Sequence, residues 1–341
     1  MGAVITNSTE IRNTAMLGLG VHRPERVVTN EEICQSIDST DEWIQSRTGI
    51  KERRFAKAYP EESVLDMSAS AARSALAAAG VEPAELDVVI LATSTYPIQT
   101  PQGAAILADM LGAGGPSAFD VAAGCAGFCY ALGVASDLIR AGTANKVLVV
   151  GVDRMTDSTE PTDRSVRAIF GDGAGAVVVG VSDEVGISST VWGSDGAQGR
   201  SIRQEPDWVG FALNPAQKRP WIIMEGTAVF RWAAFEMGKI AKTVLDRAGV
   251  RIDQIDAFVP HQANLRINDV IVRSIDLPEG VPVADDIIET GNTSAASIPL
   301  AMEKMLRTGQ VQPGATALLL GFGAGLSYAG QVVKMPVLAE S

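Results

Sequence analysis

Three residues of this chain have types and surroundings that could do chemistry together if the fold gathers them. Cys125 stands in DVAAGCAGFCYALG, His261 in FVPHQANLRI and Asn292 in ETGNTSAASIPLA. The residues before Cys125 (SAFDVAA) read as a short strand, and the run after it (FCYALGVASDLIRAG) carries apolar residues at helical spacing as far as Gly142. That places Cys125 at the first turn of a helix, where unpaired N–H groups and the positive end of the helix dipole favour thiolate over thiol. Taken alone, the stretch fits a small buried apolar residue better, which is what most free cysteines are. His261 lies just past DAFVP, a strand end of the kind at which α/β folds bind ligands; an isolated histidine there would by default be a hydrogen-bonded structural residue, but the internal repeat sets it at the strand end equivalent to Ser94-Thr95, which favours function. Asn292 alone would be a turn residue or helix cap. Brought together, the three would supply an activated thiolate and two hydrogen-bond donors able to stabilise an oxyanion.

The elements that must position these residues repeat along the chain. AAGVEPAELDVVI, ending at Ile90, resembles RAGVRIDQIDAFV, ending at Val259: Gly80 pairs with Gly249 and Asp87 with Asp256, 169 positions apart in both cases. Each reads as a helix ended by glycine, a short helical turn, then a buried strand. KVLVVG at Lys146–Gly151 matches TALLLG at Thr316–Gly321 with an offset of 170, and the helix beginning at Cys125 matches the one after TGNTSAAS, with Gly124 facing Asn292 at 168. Two similar α/β halves are therefore expected, residues 1–182 with the cysteine and 183–341 with the histidine and asparagine. Their packing would bring the start of the Cys125 helix and its counterpart near Asn292 to a common interface. VVILAT, KVLVVG and AGAVVVG are too apolar for a sheet face in water, so helices should cover the sheets. Between the halves, GSDGAQGRSIRQEPDWVGFALNPAQKRP reads as a long loop.

Bulk composition excludes several function classes. The chain has 341 residues, 46% hydrophobic and 20% charged, enough for about two domains with a sizeable core. A formal net charge of −12 argues against nucleic-acid binding, which needs a basic face. Three cysteines, Cys34, Cys125 and Cys129, are too few for a disulfide framework and point to a reducing, cytoplasmic setting. Only His22 and His261 could act as imidazole ligands, so no metal site is expected. No run approaches the length of a membrane span, and the amino terminus lacks the apolar stretch of a signal peptide. Met1-Gly2 followed by Thr6 fits the loose myristoylation pattern, for which chance is the better reading. The glycine-rich turns FGDGAGAVVVG and GFGAGLSYAG lack the Lys-Ser/Thr of a phosphate loop and run into strands, which argues against nucleotide binding. Their glycines fit better a close approach of backbone N–H groups to a reacting carbonyl.

In order and spacing, AGCAGF, PHQANLRI, GNTSAAS, FGDGAGA, GFGAGL and DEWIQSRTGI at Asp41–Ile50 form a highly specific set. On these motifs the chain resembles β-ketoacyl-acyl carrier protein synthase III, the initiating condensing enzymes of the thiolase-like superfamily, along nearly its whole length. The resemblance implies a five-layered αβαβα fold of two pseudo-symmetric halves, a homodimer, and no cofactor, since the CoA thioester is a substrate. It implies that Cys125 takes an acyl group from acyl-CoA, and that His261 and Asn292 then help malonyl-acyl carrier protein lose CO2 and stabilise the enolate that attacks the acyl-enzyme. The backbone N–H groups of Cys125 and Ala324 match the family's oxyanion hole. Ala324 stands where some relatives have glycine, a change that a backbone donor tolerates.

By the same resemblance, Trp43, Arg47 and Arg164 hold the adenine and phosphate end of CoA, Asn264 contacts the pantetheine, and Phe322 shapes the decarboxylation pocket. Arg231, Arg266 and Arg273 match a patch that docks the acidic carrier protein. Thr100 occupies a position where acetyl-preferring relatives carry a phenylalanine that closes the primer pocket from the partner subunit, so branched or longer primers are expected to fit. A polyketide starter-unit synthase or acyltransferase would use the same three residues. A plant-type polyketide synthase usually carries a GFGPG-like turn in place of GFGAG. A Cys-His-Asn hydrolase would release free acid instead of a condensed product, and a silent partner subunit would be expected to have lost a member of the set.

Overall fold

The computed structural model describes residues 11–339; the Met1-Gly2 pattern lies outside them. Strict alternation along the strands decides the layering. In Val88–Ala92, Val88, Ile90 and Ala92 enter one apolar cluster while Val89 and Leu91 enter another; in Lys146–Arg154, Val147 and Val149 part in the same way from Leu148, Val150 and Val152. Successive side chains of a strand point to opposite faces, so an unbroken apolar run needs a cover on both sides. These strands form a five-stranded sheet in the order Asn13–His22, Asp172–Ser182, Lys146–Arg154, Val88–Ala92, Ser117–Val121. Helices Val64–Ala79 and Gly103–Leu111 cover one face, and the helices Gly127–Arg140 and Ser297–Arg307 the other.

A second sheet has the order Ala257–Pro260, Thr316–Phe322, Ser327–Lys334, Val191–Ser194. Ala257, Val259, Ala317 and Leu319 face the same central helices, whereas Phe258, Leu318, Leu320 and Phe322 face helices Gly226–Ala248 and Leu265–Ser274. The result is the five-layered helix–sheet–helix–sheet–helix stack of a thiolase-like fold. All strands of the first sheet lie before residue 183 and all of the second after it. Both sheets pair a parallel central strand with an antiparallel neighbour: Lys146–Arg154 with Asp172–Ser182, and Thr316–Phe322 with Ser327–Lys334. The counterpart of the edge strand Ser117–Val121 is reduced to one parallel bridge between Phe258 and Val283.

Glycine ends the repeated helices as the sequence implies, with Gly80 at φ 61° and Gly249 at φ 67°, and a short 3-10 turn then leads into each buried strand. Two readings need correction. The segment 193–220 is not a structureless loop: strand Ile202–Glu205 pairs with Trp221–Met224, and a short helix, Trp208–Leu213, lies between them, capped by the Asp207 side chain. Its composition looked loop-like because its one strand, Ile202–Glu205, is short and mostly polar; the apolar partner strand lies just beyond it, with Ile222 and Met224 packed on Met155, Val166 and Phe170. The second correction concerns the register of the repeat at the site. Cys125 sits on a 3-10 turn, Gly124–Ala126, that precedes its helix, and the matching turn is Ser294–Ala296. Gly124 (φ 52°) and Ser294 (φ 53°) share one left-handed backbone conformation. Thus Gly124 corresponds to Ser294 and Cys125 to Ala295, with Asn292 two residues earlier. Backbone conformation sets this register, and apolar spacing is blind to it. Among the described residues no helix is long and apolar enough to cross a membrane.

Candidate active site

The turn Gly124–Ala126 meets both Ser294–Ala296 and a third turn, Ala324–Leu326, at the interface between the halves. A cavity of about 380 Å³ opens there, with Cys125, His261 and Asn292 all in its lining. Phe322 and Ala324 line it as well, as do Trp43, Arg47, Arg164 and Asn264. His261 and Asn292 are buried, while Trp43, Arg47 and Arg164 are exposed, so the cavity runs inward from a cationic and aromatic mouth. The Arg164 guanidinium lies over the Trp43 ring, 4.8 Å from its centroid. Arg231, Arg266, Arg273 and Thr100 do not line the cavity.

Cys125 is packed against the turn that follows Thr316–Phe322. A Cβ at Gly323 would stand 2.7 Å from Cys125 Cβ and 3.0 Å from its Sγ, so only glycine leaves the cysteine its place. The backbone N–H groups of Cys125 and Ala324 both bond the sulfur and lower its pKa, as does the Ser294 hydroxyl. Burial outweighs them, and with the Asp153 carboxylate nearby the thiol is pushed up to about 12. Loss of water around the sulfur thus opposes the thiolate that the turn's amides favour.

Asn292 is held on both sides of its backbone, by Ile169 and by Gly171 of the FGDGAGA segment. Its N–H donates to Ile169 O (2.9 Å) and its carbonyl accepts from Gly171 N–H (3.0 Å). Its side-chain Oδ1 accepts the Ser294 N–H at 2.8 Å, which leaves the Nδ2 end as the donor into the cavity. A Cβ at Gly171 would lie 2.3 Å from Thr290 O, and one at Gly175 2.6 Å from Pro299. These glycines seat Asn292 and the central helix, and do not present amides to a substrate carbonyl as the sequence suggested. GFGAG, in contrast, does serve the cysteine.

His261 continues the strand Ala257–Pro260, with its N–H on Leu320 O at 2.8 Å, and its ring meets Phe322 edge-on at 5.3 Å. Burial holds its pKa down at about 3, so the imidazole is neutral at physiological pH. Asn264 has a structural task besides lining the cavity: its Oδ1 caps helix Leu265–Ser274 by accepting from Arg266 N–H at 2.9 Å, and its Nδ2 donates to Arg47 O at 3.0 Å. Arg231, Arg266 and Arg273 are exposed on the two packed outer helices, and Arg266 is tied to the mouth through Phe230, over whose ring it lies at 5.7 Å.

Sequence reasoning missed Asp153, Ser294, Ser297 and Phe230. Asp153 is fully buried; its Oδ1 accepts from Ser94 N–H (2.8 Å), Thr95 Oγ1 (3.0 Å) and Thr93 Oγ1 (3.2 Å), and its Oδ2 from Ala295 N–H (3.1 Å). Burial raises its pKa, and the carboxyl pins the second half's turn to the first half behind Cys125. No sequence signal marked Ser294: the left-handed conformation that it shares with Gly124 shows only in the backbone.

Comparison with known proteins identifies the family. Two family models match, 3-oxoacyl-[acyl-carrier-protein (ACP)] synthase III over residues 119–196 and its C-terminal portion over residues 245–335. The mycobacterial β-ketoacyl-[acyl-carrier-protein] synthase III of Mycobacterium marinum is 54% identical over 332 residues, 97% of this chain and 98% of the relative. The β-ketoacyl-[acyl-carrier-protein] synthase III of Mycobacteroides abscessus is 55% identical over 334 residues, again covering 97% and 98%. Among solved structures, the priming β-ketosynthase of the R1128 polyketide biosynthetic pathway overlays with a TM-score of 0.95 at 46% identity, covering 99% of this chain and all of that one. The 3-oxoacyl-[acyl-carrier-protein] synthase III of Aquifex aeolicus gives 0.87 at 36% identity, covering 94% and 100%. With a shared fold, a Cys-His-Asn cavity at the interface of the halves and more than half of its residues in common with such relatives, the chain belongs to the 3-oxoacyl-[acyl-carrier-protein] synthase III family.

Proposed function

We propose that the protein condenses an acyl-CoA primer with malonyl-acyl carrier protein through a thioester on Cys125, with His261 and Asn292 as the decarboxylation pair. The observation that carries this reading is the convergence of one thiol, one neutral imidazole and one amide donor in a single cavity whose mouth holds a stacked Trp–Arg pair. In the first step the Cys125 sulfur adds to the acyl carbonyl, the oxyanion is held by the Cys125 and Ala324 N–H groups, and CoA leaves as the thiol, taking up the proton that Cys125 loses. In the second, the malonyl thioester loses CO2; the electron pair of the broken bond forms an enolate, whose oxygen meets the donors of His261 and Asn292. Neutral donors stabilise that oxygen without protonating the carbon. The enolate carbon then attacks the acyl thioester, giving the β-ketoacyl product on the carrier and expelling Cys125 as a thiolate, which takes a proton from solvent to return to the thiol.

Trp43, Arg47 and Arg164 suit the adenine and phosphates of CoA, and the exposed Arg231, Arg266 and Arg273 suit an acidic carrier protein. No cofactor is required by this chemistry. We read the working form as a cytoplasmic homodimer. The strand Ser117–Val121 is an unpaired sheet edge, and Thr100 is exposed and away from its own chain's cavity, so it reaches a primer only across such an interface. The small Thr100 side chain then favours branched or longer primers. A polyketide-priming role is the second reading, favoured by the overlay with the R1128 enzyme.

Incubation with individual acyl-CoAs, intact-mass measurement and peptide mapping test the proposal. The expected result is an acyl adduct on the Cys125 peptide, strongest for branched or longer chains and discharged by malonyl-acyl carrier protein into a β-ketoacyl product. Release of free acid instead would establish a hydrolase. A strict preference for acetyl would refute the role given to Thr100.

A further inference from the structure

Ser297 opens the helix Ser297–Arg307, and its hydroxyl lies 2.7 Å from Nδ1 of His261, with both residues buried. A single proton occupies that contact. It sits either on the hydroxyl, which then donates to a bare Nδ1, or on Nδ1, which then donates to the hydroxyl. The two arrangements give His261 opposite faces towards the cavity, because in a neutral imidazole the nitrogen that does not carry the proton is an acceptor.

The other partners of the hydroxyl decide between them. Gln262 N–H points at Ser297 Oγ at 3.4 Å, so one lone pair of the oxygen already faces a donor. Two other buried helical hydroxyls spend their proton on the carbonyl four residues earlier, Thr48 on Ile44 O and Ser68 on Val64 O, both at 2.7 Å. Ser297 makes no such bond. Among the described residues Nδ1 is the one acceptor its hydroxyl meets, so the proton is donated to Nδ1.

We infer that Ser297 is a positioning residue that holds His261 in the tautomer with the proton on Nε2, so that the imidazole presents a hydrogen-bond donor to the cavity beside Asn292 Nδ2. The edge-on packing of Phe322 against the ring keeps the plane in which that donor points. One consequence concerns Cys125. An Nε2 that carries a proton cannot accept one from the thiol, so His261 is committed to the malonyl half of the reaction and acyl loading proceeds without it as a base. The inference rests on the condensing reading for its rate comparison alone, and its spectroscopic test is independent of it.

The chain has only two histidines, so selective 15N labelling of the imidazoles gives two ring systems, assigned with His22→Gln. The expected wild-type spectrum shows His261 Nε2 protonated and Nδ1 unprotonated. In Ser297→Ala the two tautomers become mixed, decarboxylation of malonyl-acyl carrier protein falls roughly 10- to 100-fold, and acylation of Cys125 stays within about 3-fold. Ser297→Thr, which keeps the hydroxyl, restores the wild-type spectrum. A wild-type spectrum with the proton on Nδ1 overturns the inference, and so does a folded Ser297→Ala with unchanged tautomer and unchanged decarboxylation. Should Ser297→Ala not fold, the wild-type spectrum alone decides. A wild-type enzyme that loads acyl groups but never condenses them would undo the functional reading and leave the tautomer assignment standing.

Discussion

Replacing Gly323 with alanine isolates the contact on which Cys125, the proposed nucleophile, rests. The added Cβ would lie 2.7 Å from Cys125 Cβ, 3.0 Å from its Sγ and 3.1 Å from its backbone N. Carbon atoms in contact settle at about 3.5–4.0 Å, so the two segments must part by roughly 1 Å. Overpacking of this kind costs about 1–3 kcal/mol of stability, and a shift of about 1 Å in a reacting atom costs about 100-fold in rate. The same movement would draw the Ala324 N–H away from the sulfur. Cys125 acylation by a saturating acyl-CoA, followed by intact mass, should therefore slow by about two orders of magnitude in Gly323→Ala. Gly80→Ala provides the control: at φ 61° with nothing within 4 Å of the new Cβ, it should lower the melting temperature through backbone strain of about 1–2 kcal/mol without touching the acylation rate. Equal acylation rates for Gly323→Ala and wild type, with either stability outcome, would refute the argument that this glycine is there to seat the cysteine.

Alkylation of the free enzyme by iodoacetamide should accelerate about tenfold for each unit of pH from 7 to 9, with no plateau, because burial raises the Cys125 pKa to about 12. The same shift contributes stability below the thiol's ordinary value of about 8.5, and that contribution is lost as the pH rises towards 12; a rate plateau below pH 8 would mean that the turn's amides outweigh burial. At the mouth, Trp43→Ala and Arg164→Ala should each raise KM for acyl-CoA about 3- to 10-fold and combine to less than the product of the two, since the guanidinium stacks on the indole it would lose. Fully multiplicative effects in steady-state kinetics would show that the pair does not act as a unit.

Much of the fold was legible before any coordinates. The apolar runs of Val88–Ala92 and Lys146–Arg154 could only be strands covered on both faces, and Gly80 and Gly249 marked matching helix ends at a constant spacing. Such features are local: propensity, glycine's access to positive φ and the two-residue period of a strand act within a few residues. Cys125, His261 and Asn292 were legible because each stands at the end of a repeated element, and the pseudo-symmetry of the halves brings those ends together.

What only the tertiary structure decided involves groups that meet across the interface of the halves. No local signal tells that the Ser297 hydroxyl faces His261, that Asp153 pins the turn behind Cys125, or that FGDGAGA serves Asn292 by holding its backbone. The protonation of Cys125 was out of reach for the same reason. Its sequence neighbours supply the turn whose amides favour a thiolate, but the burial that overrides them comes from chain segments far away in sequence, and desolvation depends on everything packed around the sulfur.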